Sequence, residues 1–143
     1  MLLVHATSVE IDGHAVLLRA PSGGGKSDLA LRLIDAGAVL VADDQTALTA
    51  QDGRLFASCP DTIAGLFEVR GLGVVRLPHC PRAPLSLVVD LVAPDQVERH
   101  PEPATASFLG IPVPSVALAP FEASAASKVR LAMRGALRDI MVR

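Results

Sequence analysis

Eight consecutive residues, Ala20-Pro21-Ser22-Gly23-Gly24-Gly25-Lys26-Ser27, combine a glycine run with one ammonium and one hydroxyl. That combination suits a polyphosphate. Glycines let backbone N–H groups approach phosphate oxygens from several directions that side chains would obstruct. Lys26 can set a compact charge between the β- and γ-phosphates of ATP, and Ser27 can offer its hydroxyl to Mg2+. The stretch departs from the GxxxxGK[ST] pattern only at Ala20, which stands where the first glycine is usual. The departure is harmless if residue 20 needs no positive φ. Lysine is scarce here: of 13 basic residues only Lys26 and Lys128 are lysines, the rest being arginine. A lysine between Gly25 and Ser27 therefore reads as chemistry rather than filler.

Phosphate chemistry also needs carboxylates, and Asp43-Asp44 close the apolar run 38–42. A parallel crossover would deliver them to the same sheet edge as the loop. One is expected to act through the metal and its waters, the other to take a proton from an incoming hydroxyl. Asp90 is a rival, flanked by apolar residues. Further on, Glu68-Val69-Arg70-Gly71-Leu72-Gly73 sets an acid and a guanidinium two apart, hence on one strand face, before glycines that permit close approach. His5, alone on a strand, would by itself be read as a satisfied core residue.

These groups need a scaffold. Residues 2–11 read as a strand, Asp12-Gly13 as a turn and 14–19 as a second strand. Leu29, Ala30, Leu33 and Ile34 give helical spacing from Lys26 to about Ala36, and 38–42 form a buried strand. Segments 45–50 and 54–58 flank a hairpin turn, 68–77 is a short strand interrupted by Gly71 and Gly73, and 78–84 is loop. A buried strand follows at 85–93, and 94–120, with six prolines, holds one or two edge strands. A closing helix over 121–142 turns Ala125, Val129, Ala132, Met133, Ala136, Leu137 and Ile140 inward. The fold class is mixed α/β to α+β, with a largely central sheet and a C-terminal helix.

Composition bounds the rest. A chain of 143 residues fits one domain, 1–143, and 50% hydrophobic with 20% charged residues excludes disorder. A net charge of −2 supplies no field for nucleic acid or an anionic membrane. The only aromatics are four phenylalanines, few platforms for stacking bases. Cys59 and Cys80 each precede proline, outside any CxxC pair, and read as reduced thiols. The N-terminus has no basic leader and no apolar stretch reaches the ~20 residues that span a bilayer, so a cytoplasmic protein is expected. Arg130, Arg134 and Arg138 recur every four residues, a stripe for solvent or for an acidic protein or neighbouring subunit.

Read together, His5, the loop ending Gly25-Lys26-Ser27, the strand Leu40-Val41-Ala42-Asp43-Asp44 and the segment from Glu68 to Gly73 resemble the catalytic domain of the HPr kinase/phosphorylase family. The likeness is strong through residues 1–77. It implies a P-loop kinase domain that phosphorylates a serine of HPr, the small phosphocarrier of phosphotransferase systems, using ATP and Mg2+. Lys26 would hold phosphates; Ser27 and Glu68 would ligate Mg2+; Asp44 would accept the serine proton; His5 would activate or position. Arg99 lies where the family carries an active-site arginine. The family's oligomeric habit implies a homo-oligomer, a hexamer. Members commonly carry a separate N-terminal domain, so this chain resembles a short form that begins at the catalytic domain. The family's basic loop after an Ile-Pro-Val segment has no counterpart, because residues 111–118 contain no Arg or Lys. Kinase activity is thus expected as the main reaction, ahead of phosphorolysis. Two other readings of the residues are a small-molecule or carboxykinase-like phosphotransferase and a non-catalytic ATP-sensing module. Retention of Asp44 and His5 speaks against the last.

Overall fold

A computed structural model describes residues 1–21, 23–138 and 141–142, so Ser22 of the loop and Ile140 of the expected inner helix face lie outside the described residues. The chain runs β1 (Leu2–His5), β2 (Thr7–Ile11), β3 (His14–Arg19), α1 (Lys26–Asp35), β4 (Val39–Ala42), β5 (Gln45–Gln51) and β6 (Arg54–Ser58). It continues β7 (Leu66–Val69), β8 (Gly73–Arg76), β9 (Arg82–Leu91), β10 (Ala104–Phe108), β11 (Ile111–Leu118) and α2 (Ala125–Arg138).

Strand β9 belongs to two sheets. Its first residues, Arg82 to Pro84, pair antiparallel with β6, which leads on to β5 and β1. Its later residues lie parallel to β3 on one edge and to β11 on the other, within the order β4-β2-β3-β9-β11-β10. The change of sheet falls at a bulge: Ala15 faces Leu85 but Val16 faces Leu87, leaving Ser86 extra. One extra residue inverts the alternation of side chains. Ala83 and Leu85 therefore point between the sheets, and so does Val88 three residues later, while Leu87, Val89 and Leu91 turn to the helices.

The alternation along β3 divides the core in the same way. Val16 and Leu18 join Leu29, Leu33, Val129 and Met133 under the helices, whereas Ala15 and Leu17 join Leu48, Leu55 and Phe108 between the sheets. The central sheet is thus covered on both faces, which is why its strands read as continuous apolar runs.

Several expectations need correction. Residues 2–11 are two strands, because the chain leaves one sheet for the other at Ala6. Strand β4 is not next to β3; both pair antiparallel with β2, which lies between them. They still run parallel, so their carboxyl ends share one edge. Segment 68–77 is a hairpin, with Arg70, Gly71 and Leu72 in the turn and Gly71 and Gly73 at φ 96° and 101°, values an L side chain seldom adopts. Arg70 therefore does not share a strand face with Glu68. The 78–84 loop gives way to strand at Arg82, and Pro84 is tolerated because it stands just before the bulge.

Of the one or two edge strands expected in 94–120, β10 is one; β11 has β10 on one side and, from Ser115 on, β9 on the other. Its Pro112 and Pro114, two apart, remove donors from the same edge, ahead of the stretch from Ser115 that pairs with β9. The closing helix buries Ala125, Val129 and Met133, but Leu137 is exposed. Among the described residues no helix is long and apolar enough to cross a membrane.

Leu17 and Leu18 are adjacent and fully buried, yet belong to different layers. Leu17→Ala and Leu18→Ala should each lower the unfolding free energy by about 2–5 kcal/mol. Urea denaturation with an unchanged slope checks this; a negligible loss at either site would mean that layer is not packed as described.

Candidate functional site

The loop after β3 turns into α1 through glycines whose backbone no other residue adopts easily. Gly23 and Gly25 have φ 78° and 95°, and Gly24 N–H closes the turn on Pro21 O at 2.8 Å. Ala20 is not among the positive-φ residues, so alanine serves where the common pattern has glycine. Gly25 caps α1 without any side-chain hydrogen bond. Among the described residues no side chain caps the first N–H groups of the helix, the end that favours an anion. A Cβ at Gly25 would lie 2.8 Å from Pro120 Cβ and 3.0 Å from Phe121 Cζ, so the loop is packed tightly against the turn that follows β11.

Lys26 is 6% exposed, and its Nζ lies 3.2 Å from His5 Nε2, 3.4 Å from Ala20 O and 3.7 Å from Asp44 Oδ1. His5, at the end of β1, also has Nε2 3.5 Å from Asp44 Oδ1. One ring nitrogen can thus accept from the ammonium when neutral or face the carboxylate when protonated.

The two aspartates have separate tasks. Asp43 Oδ1 accepts from Ser27 Oγ at 2.9 Å and Thr7 Oγ1 at 3.2 Å, and its Oδ2 accepts from Glu68 N–H at 3.1 Å. Asp44 takes the left-handed conformation, φ 66°, which aspartate tolerates better than most residues and which turns it away from its neighbour. Thr7 Oγ1 accepts from Asp44 N–H at 3.0 Å, fixing that turn. The Asp44 side chain stays 62% exposed. Nearby, burial first and then the carboxylates of Asp43 and Asp61 push the Cys59 thiol up. Both effects favour the protonated thiol over the thiolate.

A cleft of about 520 Å³ collects Gly23, Lys26, Ser27, Asp43, Asp44 and Glu68. Gly24, Gly25 and Arg70 also line it, whereas Gly71, Leu72 and Gly73 form the exposed hairpin turn beyond. Pro21 lines an adjoining groove. Arg99 lies exposed in the loop after β9 and is not among the residues that line the cleft. Arg130 Nη1 donates to Ala36 O at 2.8 Å, capping the end of α1, so it is engaged within the fold. Arg134 is exposed, and the Arg138 side chain lies outside the described residues. Asp90 pairs with Arg19 at 2.8 Å, and is occupied there.

Three residues escaped sequence reasoning. Thr7 looks like any strand threonine. Arg32 looks like an ordinary helix-end base, yet its guanidinium holds Pro120 O and, at 3.1 Å, Glu122 O. Phe121 had one signal, as one of only four aromatics in the chain; its exposure is seen in the structure alone.

A family model described as the HPr Serine kinase C-terminal domain matches residues 1–123. The HPr kinase/phosphorylase of Bordetella pertussis is 34% identical over 152 residues, covering 98% of this chain and 48% of that protein. That of Variovorax paradoxus is 36% identical over 126 residues, covering 79% and 40%. The chain spans about half the length of the curated relatives it matches. The solved structure of the Hpr(Ser) kinase/phosphatase from Coxiella burnetii aligns with a TM-score of 0.80 at 29% identity, covering 94% of this chain and 100% of that one. The likeness thus takes in the phosphate loop, the aspartate pair and the hairpin together, on the same P-loop kinase fold, and the chain belongs to the HPr kinase/phosphorylase family.

Proposed function

We propose that the chain transfers the γ-phosphoryl group of ATP to a serine hydroxyl of an HPr-like phosphocarrier protein. One observation carries the reading: a lysine 6% exposed at the phosphate loop stands 3.7 Å from an aspartate 62% exposed at the cleft mouth. The buried ammonium suits a phosphate held inside; the open carboxylate suits a hydroxyl presented by a large partner. The names of the relatives support the same substrate.

In this reaction the serine Oγ attacks the γ-phosphorus, its proton passes to Asp44, and ADP leaves with the bridging oxygen. Lys26 and the free N–H groups of α1 offset charge on the phosphates. His5, touching both Lys26 and Asp44, holds the carboxylate near the ammonium. Asp43 stays engaged by its three donors and keeps Ser27 in place. Mg2+ fits the donors present, since a hydroxyl and a carboxylate lie 2.9 Å apart and the Glu68 carboxylate borders the same cleft. Ser27 with Asp43 or Glu68 would hold it, and it would neutralise phosphate charge. Among the described residues no three His, Cys, Asp or Glu side chains converge, a set that leaves further positions to phosphate and water. Homo-oligomeric assembly and a cytoplasmic location are proposed on family membership.

We place the kinase direction first, because β11 brings no Arg or Lys to the segment 111–118.

Asp44→Asn should lower transfer of radiolabel from ATP to HPr serine by about 10²–10⁴-fold while ATP affinity is kept. Label appearing on a metabolite instead, or ATP binding with no transfer in the unmutated chain, would sink the reading. Gly25→Ala, at φ 95° and against Pro120, should weaken ATP binding on the order of tenfold; titration calorimetry checks it, and unchanged affinity would show the loop needs no glycine there. Phosphoserine-HPr incubated with inorganic phosphate should release pyrophosphate much more slowly than the forward reaction runs, and rapid release would reverse the order of the two activities.

A further inference from the structure

Beside the phosphate cleft lies a second cavity of about 660 Å³, within the ~300–1,000 Å³ of small-molecule clefts. Pro21 and Gly24 of the loop line its near side; residues 91–94 at the end of β9, Gln96, and 119–122, beyond β11, line the rest. Those strands lie on one side of β3, whereas β4 with its aspartates lies on the other. The groove and the aspartate pair therefore flank the loop from opposite directions, both at the carboxyl ends of parallel strands, where α/β sheets bind ligands. Gly24 and Phe121 line both cavities, so a molecule with its phosphates in the loop can continue into the groove.

We propose that this groove seats the base of the nucleotide, with Phe121 against the base or its sugar, and that it discriminates weakly among bases. The proposal rests on the phosphate reading of the neighbouring loop and adds to it where the remainder of the donor lies. The groove wall is held before any ligand arrives: Arg32 of α1 grips the carbonyls of Pro120 and Glu122, and the Phe121 ring lies against Gly25. Phe121 is nevertheless 69% exposed, an apolar surface awaiting a flat partner. Weak discrimination follows from the polar side chains available among the described residues. Gln96 Oε1 already accepts from Ala93 N–H at 3.4 Å, and Glu122 faces Lys128 Nζ at 3.5 Å. The Val92 N–H is spent on Leu118 O. Walls that offer mostly apolar contact separate related ligands far less than walls built to hydrogen-bond one of them.

Titration of the full chain with MgATP, MgGTP and Mg-tripolyphosphate tests this. ATP and GTP should bind within about fivefold of each other, and each about tenfold or more tighter than tripolyphosphate, the scale of one stacking contact. Phe121→Ala should weaken both nucleotides about tenfold and leave tripolyphosphate within about twofold. Ala93→Trp, which adds bulk to the groove from a residue outside the loop, should do the same. Tripolyphosphate binding as tightly as ATP, or Phe121→Ala weakening all three alike, would overturn the base site and leave the phosphate loop standing. GTP binding 100-fold more weakly than ATP would overturn the claim of weak discrimination. Failure of all three to bind would overturn the phosphate reading itself.

Discussion

The Asp43 carboxylate receives donors from three separate elements: the Ser27 hydroxyl at the start of α1, the Thr7 hydroxyl at the start of β2 and the Glu68 amide in β7. With its own position at the end of β4, it joins four pieces of chain that are distant in sequence. A partly buried carboxylate with three donors is a strong acceptor, because hydrogen bonds to an ionised group exceed neutral ones. Losing the carboxylate would leave Ser27 and Thr7 without their shared acceptor and free the hairpin that borders the cleft. Thr7 carries the effect one step further, since the hydroxyl that donates to Asp43 also accepts from the Asp44 amide. The conformation of one aspartate is thereby set by the other.

Around this hub the fold separates support from access. The buried strands β3 and β9 hold the loop from behind, with side chains locked into two packed layers. Reactive groups are left at strand ends and turns, where few apolar contacts constrain a partner's approach. The graded exposure from Lys26 to Asp44 is the outcome, with the ammonium buried and the carboxylate open to solvent.

The loop, the helix after it and the aspartates were legible in the sequence because their signals are local: glycine spacing, a lone lysine, an apolar run ending in acids. Strand direction was legible too, since the βαβ rhythm demands a crossover. What could not be read were partners set by sheet order. Nothing near residue 40 tells that β2 lies between β3 and β4, and nothing near residue 85 tells that β9 serves two sheets through one extra serine. The hairpin at 66–76 reads as a strand over 68–77 because glycines that interrupt a strand and glycines that turn one look alike in a linear string. Thr7 and Arg32 were invisible for a related reason: their roles depend on residues 36 and 88 or more positions away.

The two prolines of β11 bear on how the molecule behaves among copies of itself. A strand flanked on one side only is open to hydrogen bonding by any extended chain, the usual start of aggregation along sheet edges. In the first half of β11 the outward edge is where Pro112 and Pro114 stand, so an incoming strand would find carbonyls but no alternating donors. The stretch thus withholds donors from an incoming strand without a charged residue, and the turn beyond it packs against the phosphate loop.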